Sequence, residues 1–320
     1  MRWNYHSPES YGNTKSMQWF RDNGLKVMGA TAGQTRWVLM PQRESNMDNI
    51  RSFALSSIET GSNGLLLTLW DDDSPHFELY YRGIIAFAND TWSGDQISKS
   101  ELKSAYRQRE FSYELAQNDF AFIDSLEQSA GHWKNILLKS DKRNYLKEMD
   151  NPEEDGLISL PDSRKPGQWS IENKIRLAKA DKMIENTFKL GKKIEQMQKL
   201  VSRNSFALEV YQRVNEIVGF TPKILIALNR FDQASDDEQR LIEKEKIIKL
   251  KMDFINLKDK VEETYSKTRI IHKPTDYILD QDHHHHLANQ FHTFDWQFYS
   301  ELLMFDKIDK QLQWQRKPID

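Results

Sequence analysis

The feature that most constrains this chain is a short apolar segment that runs into a tryptophan and three consecutive carboxylates, Gly64 to Asp73. Apolar runs of this length, bounded by glycine and charge, are typical of strands buried on both faces in parallel sheets that helices cover. A helical pattern follows at about residues 77–90. We therefore predict a strand–loop–helix unit whose polar loop lies at the carboxyl end of its strand, where functional residues collect in such units.

Similar units precede this one in the first 95 residues. Short apolar runs and helical patterns alternate there as strands at 2–6, 25–31 and 64–70 and helices at about 13–23, 46–60 and 77–90. Gly24 stands where a helix C-cap glycine is expected, and Asn46 where an N-cap is expected. The order β-α-β-α-β-α predicts three adjacent parallel strands with helices on one side.

The carboxyl ends of parallel strands meet at one edge of a sheet. We therefore expect Tyr5, Thr31 and Trp70 to face a common space that is open to solvent. An aromatic ring beside carboxylates suits sugar binding, because the ring packs on the apolar face of a pyranose while carboxylate oxygens accept hydrogen bonds from hydroxyl groups.

From about residue 98 the pattern becomes helical. Long helices are predicted at about 171–202, 204–232, 236–266 and 283–312, after a proline-containing loop at 150–168. One of them carries apolar residues at alternating spacings of three and four, which is typical of a bundle helix or short coiled coil: Ile247, Leu250, Phe254, Leu257 and Val261. We predict an α/β domain over 1–95 and an all-α domain over 96–320.

Composition excludes several function classes. A net charge of −3 over 320 residues provides no basic field for a polyanion, which argues against a nucleic-acid partner. No apolar run is long enough to span a membrane, and the first residues lack the apolar core of a signal peptide. The absence of cysteine excludes disulfides and thiolate metal sites but leaves the compartment and the oligomeric state open.

Three segments carry a family resemblance: Trp3-Asn4-Tyr5, Val27 to Ala32, and Thr68-Leu69-Trp70. They are similar to the ends of the sixth, seventh and eighth barrel strands of the family 20 glycoside hydrolases, the β-N-acetylhexosaminidases, in the version found in Bacteroidetes and the hexosaminidase D group. The resemblance implies the last three β/α units of a (β/α)8 TIM barrel, followed by a C-terminal helical bundle. It also implies substrate-assisted, retaining removal of terminal N-acetylhexosamine from glycans, with no cofactor.

The family's catalytic Asp-Glu pair has no counterpart in these segments. In the family that pair ends the fourth barrel strand, whereas here the resemblance begins at the sixth. The single Asp-Glu dipeptide, Asp237-Glu238, is predicted to begin a helix, where acids suit the helix dipole. We therefore expect no catalytic residue in this chain and no hydrolysis by the chain alone.

The resemblance implies substrate contacts for three aromatic residues. Trp70 would be a sugar platform, although a core ring is the alternative. Tyr5 is similar to the tyrosine that bonds the N-acetyl oxygen, yet it could be a structural hydroxyl. Trp3 would be a pocket wall or else a buried ring.

Two carboxylates complete the predicted substrate-binding set. Asp71 and Asp72 would accept hydrogen bonds from sugar hydroxyls, and Asp72 occupies the position of the glutamate in the W-x-E of other family members. The alternative is that these residues, with Asp73, belong to a loop that caps the next helix.

The run His283 to His286 invites a metal interpretation. Consecutive residues on a helix point about 100° apart, so four adjacent histidines cannot face one ion. We expect no metal site.

Two functions follow from these observations. The first is the C-terminal portion of a β-N-acetylhexosaminidase with an N-acetylhexosamine-containing glycan as its partner, periplasmic or extracellular if an upstream signal peptide directs it there. The second is a non-catalytic helical protein-interaction module on a vestigial α/β base.

Overall fold

The structure is a computed structural model that describes residues 1–5, 11–33, 39–40, 44–70, 77–94, 97–112, 122–141, 143–279 and 286–314. Within them lie a three-stranded sheet and ten α-helices. By contact the chain divides into two compact units. The first unit contains residues 1–128 and 193–211, and the second contains 129–192 and 212–320. The predicted domain boundary after residue 95 stays a prediction.

The sheet consists of β1 (Arg2–Trp3), β2 (Gly29–Ala32) and β3 (Leu65–Thr68), in that order. Both pairs are parallel, with Trp3 opposite Ala30 and Ala30 opposite Leu66. The prediction of three adjacent parallel strands is confirmed, although each strand is shorter than its apolar run. Membership in a TIM barrel is not established by a sheet of three strands.

Helices follow each strand of the sheet, namely α1 (Tyr11–Asp22), α2 (Glu44–Glu59) and α3 (Tyr81–Ser93), with a 3₁₀ turn at Phe77–Tyr80. The close approach of α2 to the sheet depends on Gly29. A β-carbon there would lie 3.0 Å from the Phe53 ring and 2.8 Å from the Leu65 side chain. Met17, Val27 and Phe53 form a buried cluster between these elements.

Two local predictions in this region are wrong. Asn46 is not the N-cap of α2, because the helix begins two residues earlier and Asn46 lies buried within its first turn. Strand β3 is not buried on both faces: Leu66 is 37% exposed. Leu65 packs against the cluster of Met17, Val27 and Phe53, whereas the next residue, Leu66, points to the other face of the sheet, which stays accessible.

The rest of the chain is helical, as predicted. Its helices are α4 (Lys99–Glu110), α5 (Phe122–Trp133), α6 (Gln168–Glu172), α7 (Lys174–Leu200), α8 (Ser205–Asp232), α9 (Asp237–Ser266) and α10 (Tyr299–Trp314). Four of them exceed 15 residues, as expected. The prediction of one long helix over 283–312 is wrong, because Leu287–Gln290 and Phe294–Phe298 form 3₁₀ turns and α10 begins only at Tyr299.

The predicted apolar stripe of α9 forms much of the core of the second unit. Ile247, Phe254 and Val261 are buried, and so is Leu257, whereas Leu250 is half-buried. Phe254 is the centre of an aromatic cluster, with ring centroids 5.4 to 5.7 Å from those of Phe220, Phe298 and Phe305. Burial of this stripe explains why the spacing of three and four recurs.

Candidate functional site

Three aromatic side chains meet at the carboxyl edge of the sheet. The Trp3 ring centroid lies 6.1 Å from that of Trp70 and 5.9 Å from that of Tyr5. The two indoles are inclined at 55° and remain 42% and 41% exposed. Sequence reasoning named these three residues, and the structure brings them together into one cluster.

Strand geometry explains why these residues converge. Successive side chains of a strand point to opposite faces, so residues two apart share a face. Trp3 lies opposite Ala30, and Ala30 lies opposite Leu66. Because Leu66, Thr68 and Trp70 alternate along the chain, Trp70 lies on the same face as Trp3. The small side chain of Ala30 on the intervening strand leaves room for the two indoles to meet.

Two hydrogen bonds hold Trp70 in place. Its indole Nε1 donates to Thr68 Oγ1 over 3.0 Å, and the Tyr80 hydroxyl donates to its carbonyl oxygen over 3.0 Å. Thr68 Oγ1 in turn donates to the Thr31 carbonyl over 2.9 Å. The exposed ring is therefore attached to the sheet and to the turn before α3, so its orientation is set before any ligand arrives.

The expectation for Thr31 is wrong. Its side chain is buried, and its hydroxyl donates to the Asn49 side chain of α2. Thr31 lies opposite Leu67, so its side chain points to the face opposite the one that carries Trp3 and Trp70. The residue therefore anchors the helix to the sheet and does not face the aromatic cluster.

The predicted carboxylates lie outside the described residues. These carboxylates are Asp71, Asp72 and the neighbouring Asp73. The histidines His283 to His285 also lie outside the described residues. The prediction for Asp237-Glu238 is confirmed, because these residues open α9. Asp236 caps that helix by accepting a hydrogen bond from the Gln239 backbone N–H over 2.8 Å, and this bond lowers the pKa of the Asp236 carboxyl.

In the part of the chain that the structure describes, no three His, Asp or Glu side chains are grouped so that they could hold a metal ion. None of the described helices is both long and apolar enough to cross a membrane.

Sequence reasoning missed the residues that support the cluster. Thr68 and Tyr80 position Trp70, and Leu66 extends the exposed face. The period of two in Leu66, Thr68 and Trp70 could have identified two of these residues. Tyr80 could not be found this way, because its bond to the Trp70 carbonyl depends on where the 3₁₀ turn at Phe77–Tyr80 lies relative to the strand.

Comparison with known proteins gives little further information. No protein-family model matches the chain, and no curated protein matches it significantly. Among solved structures, it is similar to a GH138 enzyme targeting pectin rhamnogalacturonan II, with 10% identity and a TM-score of 0.38. That alignment covers 100% of this chain and 43% of the other, so this chain spans less than half the length of that protein. The comparison is distant, and it gives no support to membership in family 20.

Proposed function

We propose that the carboxyl edge of the sheet binds a carbohydrate, and that the chain acts as the C-terminal portion of a β-N-acetylhexosaminidase of family 20 type. One observation carries this proposal: two exposed indoles, Trp3 and Trp70, meet beside Tyr5 at the carboxyl end of a parallel sheet. Exposed aromatic rings fixed in this way would present an apolar face that a pyranose ring could cover.

The geometry of the indoles suits a single sugar unit. Their inclination of 55° makes an open corner and not a flat stack, so one ring could pack on a pyranose while the other borders its edge. Tyr5 would contribute a phenol at the side of the corner, and Asp71 and Asp72 would supply the acceptors for sugar hydroxyls. Ring stacking alone would favour sugars whose ring face carries no axial hydroxyl group, such as N-acetylglucosamine.

The chain would supply binding contacts but no proton transfer. In the proposed parent reaction, the acetamido oxygen attacks the anomeric carbon, an Asp orients it, and a Glu protonates the leaving oxygen. The one Asp-Glu dipeptide of this sequence begins α9, where its carboxylates face the helix dipole. Binding without a general acid gives affinity and no rate enhancement.

The binding proposal is tested by NMR of the tryptophan indole N–H groups during titration with N-acetylglucosamine. We expect the Trp70 signal to shift and to saturate, and Trp70→Ala to abolish binding. Trp92→Ala is the matched control, because Trp92 is 94% exposed on α3 and forms no part of the cluster. Equal binding by both variants would contradict the proposal.

The enzymatic part is tested with 4-nitrophenyl N-acetyl-β-D-glucosaminide. We expect no turnover by the purified chain, beside a positive reaction by an authentic β-N-acetylhexosaminidase. Turnover by the chain that Asp72→Asn abolishes would show a different catalytic carboxylate and would overturn this assignment.

A second candidate function, a protein-interaction module, is favoured by the outer surface of α9. Leu241, Ile248, Met252 and Ile255 are exposed there. At about 100° per residue they form one stripe, opposite the buried stripe of Ile247 and Phe254. A soluble helix with two apolar stripes commonly packs on both sides.

This alternative is tested by analytical ultracentrifugation. Self-association that rises with concentration, and that Ile248→Ser combined with Met252→Ser abolishes, would support it. Sedimentation of the unaltered chain as a monomer throughout would argue against self-assembly through this stripe.

A further inference from the structure

The second unit contains a cavity whose lining residues lie far along the chain from the aromatic cluster. The cavity has a volume of about 450 Å³, and it is bordered by the end of α5 with the turn that follows, by α6 and by the first half of α7. This volume falls in the range of about 300 to 1,000 Å³ that is typical of small-molecule sites.

Three cations line this cavity, and none of them has a carboxylate partner among the described residues. Arg176 donates to the carbonyl oxygens of Asn135, Ile136 and Leu138, over 3.1, 2.5 and 3.0 Å. Lys139 donates to the carbonyl of Glu154. Lys179 makes no hydrogen bond or ion pair to any described residue.

The one carboxylate in the lining does not neutralise these charges. Glu172 accepts a hydrogen bond from the Gln168 side chain over 2.8 Å, and it forms no ion pair with Arg176 or Lys179. Elsewhere on the same helix a lysine does find a partner, since Lys189 pairs with Glu185 at 2.6 Å. The lining of the cavity therefore carries an excess of positive charge that no carboxylate of the described residues pairs with.

Arg176 is held rigidly although no described carboxylate pairs with its charge. Its three bonds to carbonyls of the turn after α5 fix the guanidinium at the wall of the cavity. Burial lowers the pKa of this guanidinium from its ordinary value, because the charged form loses water. An anion beside Arg176 would recover that lost solvation.

The rest of the lining is mixed, with His132, Asn135 and Asn173 among its polar residues. Ile136, Ile175 and Met183 border the same space. An inorganic anion would use only the cationic wall, whereas an organic molecule of the size of a monosaccharide would also cover these side chains.

From these observations we propose that the cavity binds a small organic anion whose carboxylate or phosphate lies against Arg176 and Lys179 and whose carbon skeleton packs on Ile136 and Met183. The assignment is independent of the proposed function at the sheet, since the two sites share no residue.

The test follows the methyl signal of Met183 in protein labelled with ¹³C-methyl methionine, assigned with Met183→Leu. Glucose 6-phosphate and glucuronate separate phosphate from carboxylate as the preferred anion, and glucose is the neutral counterpart. We expect a saturable shift with at least one of the two anions and none with glucose. Binding should weaken as salt is added, because the attraction is electrostatic.

Two variants that each remove one lysine charge test whether Lys179 contributes to anion binding. Lys179→Gln should weaken anion binding by about tenfold or more, as expected for loss of one charge-assisted contact. Lys182→Gln on the same helix should leave affinity unchanged, because Lys182 is exposed and lies outside the lining. Equal affinity in both variants, an equal shift with glucose, or no shift with either anion would overturn the proposal. Inorganic phosphate that bound as tightly as the sugar anions would overturn the organic part of it.

Discussion

Arg82 and Arg176 show two different ways in which this chain treats a buried guanidinium. Arg82 on α3 is buried and bonds two carboxylates of α5, Asp124 over 2.8 Å and the buried Glu127. Arg176 on α7 is half-buried and bonds three carbonyls, with no carboxylate among the described residues. The charge of Arg82 is neutralised by carboxylates of the fold. The charge of Arg176 is held in position at the wall of a cavity, without a carboxylate among the described residues.

The surroundings of Arg82 reinforce this difference. Burial by itself would lower the pKa of Arg82, but Glu127 and Asp124 raise it above its ordinary value. Lys103 of α4 also binds Asp124, over 2.9 Å. Burial raises the pKa of the neighbouring Tyr211 hydroxyl to about 12. These ion pairs stabilise the packing of helices within the first unit. The comparison teaches that the lack of a counter-charge, more than burial, distinguishes a guanidinium that could bind a ligand.

The largest effect is expected for Arg82→Met. The substitution leaves Glu127 buried without its cation, and loss of one partner of a buried ion pair costs about 3–5 kcal/mol of the free energy of unfolding. Urea denaturation followed by circular dichroism measures it. Arg164→Met is the control, since Arg164 pairs with Asp162 at the surface and its loss should have no measurable effect. Equal stability of Arg82→Met and the unaltered chain would show that the cluster is dispensable.

A smaller loss is expected for Arg176→Gln. The shorter amide cannot reach the three carbonyls, and leaving them without their donor should cost about 1–3 kcal/mol. The same urea titration applies. A loss as large as that of Arg82→Met would mean that Arg176 is a structural residue like Arg82, which would weaken the contrast between the two sites.

The third prediction concerns acid. Burial raises the pKa of Asp124, but Arg82 and Lys103 outweigh it and hold the pKa below the ordinary 3.8. A carboxyl whose folded pKa is depressed contributes stability above its unfolded pKa and loses it as pH falls through the folded pKa. We expect the melting temperature to fall as pH drops below 3.8, and to fall less steeply in Asp124→Asn. Parallel pH profiles would contradict this assignment.

The smallest effect on stability is expected for Lys179→Gln. Its ammonium has no partner among the described residues, so removal of the charge should change the free energy of unfolding by no more than about 0.5 kcal/mol. The same variant is predicted to weaken anion binding, which would distinguish a charge that binds a ligand from a charge that stabilises the fold. A loss of stability above about 1 kcal/mol would refute that distinction.

Local patterns sufficed for most of the secondary structure. The three strands, three of the four long helices and the N-terminus of α9 at Asp236 were predicted close to where they occur, because hydrophobic periodicity and capping chemistry act over a few residues. The fourth long helix, predicted over 283–312, begins only at Tyr299. Asn46 failed as a cap because the side chain is buried within α2, and packing outweighed its capping preference.

The aromatic cluster was predicted in part. Strand order and the rule of parallel carboxyl ends were enough to bring Trp3, Tyr5 and Trp70 together. The same rule failed for Thr31, because its position along the pleat sends its hydroxyl to Asn49 on the opposite face. Register decides that direction, and register depends on the pairing of strands that lie far apart in the chain.

By itself, the sequence determined where most of the strands and helices lie and which aromatic residues end the strands, because those signals repeat within a few residues. Only the tertiary structure decided that β3 keeps one face accessible, that Arg82 pairs with two carboxylates and that Arg176 pairs with none of the described ones. The partners of Arg82 lie 42 and 45 residues away, and no local pattern encodes a contact at that distance. Charge pairing is a property of the folded chain, since it depends on which helices pack together and how closely.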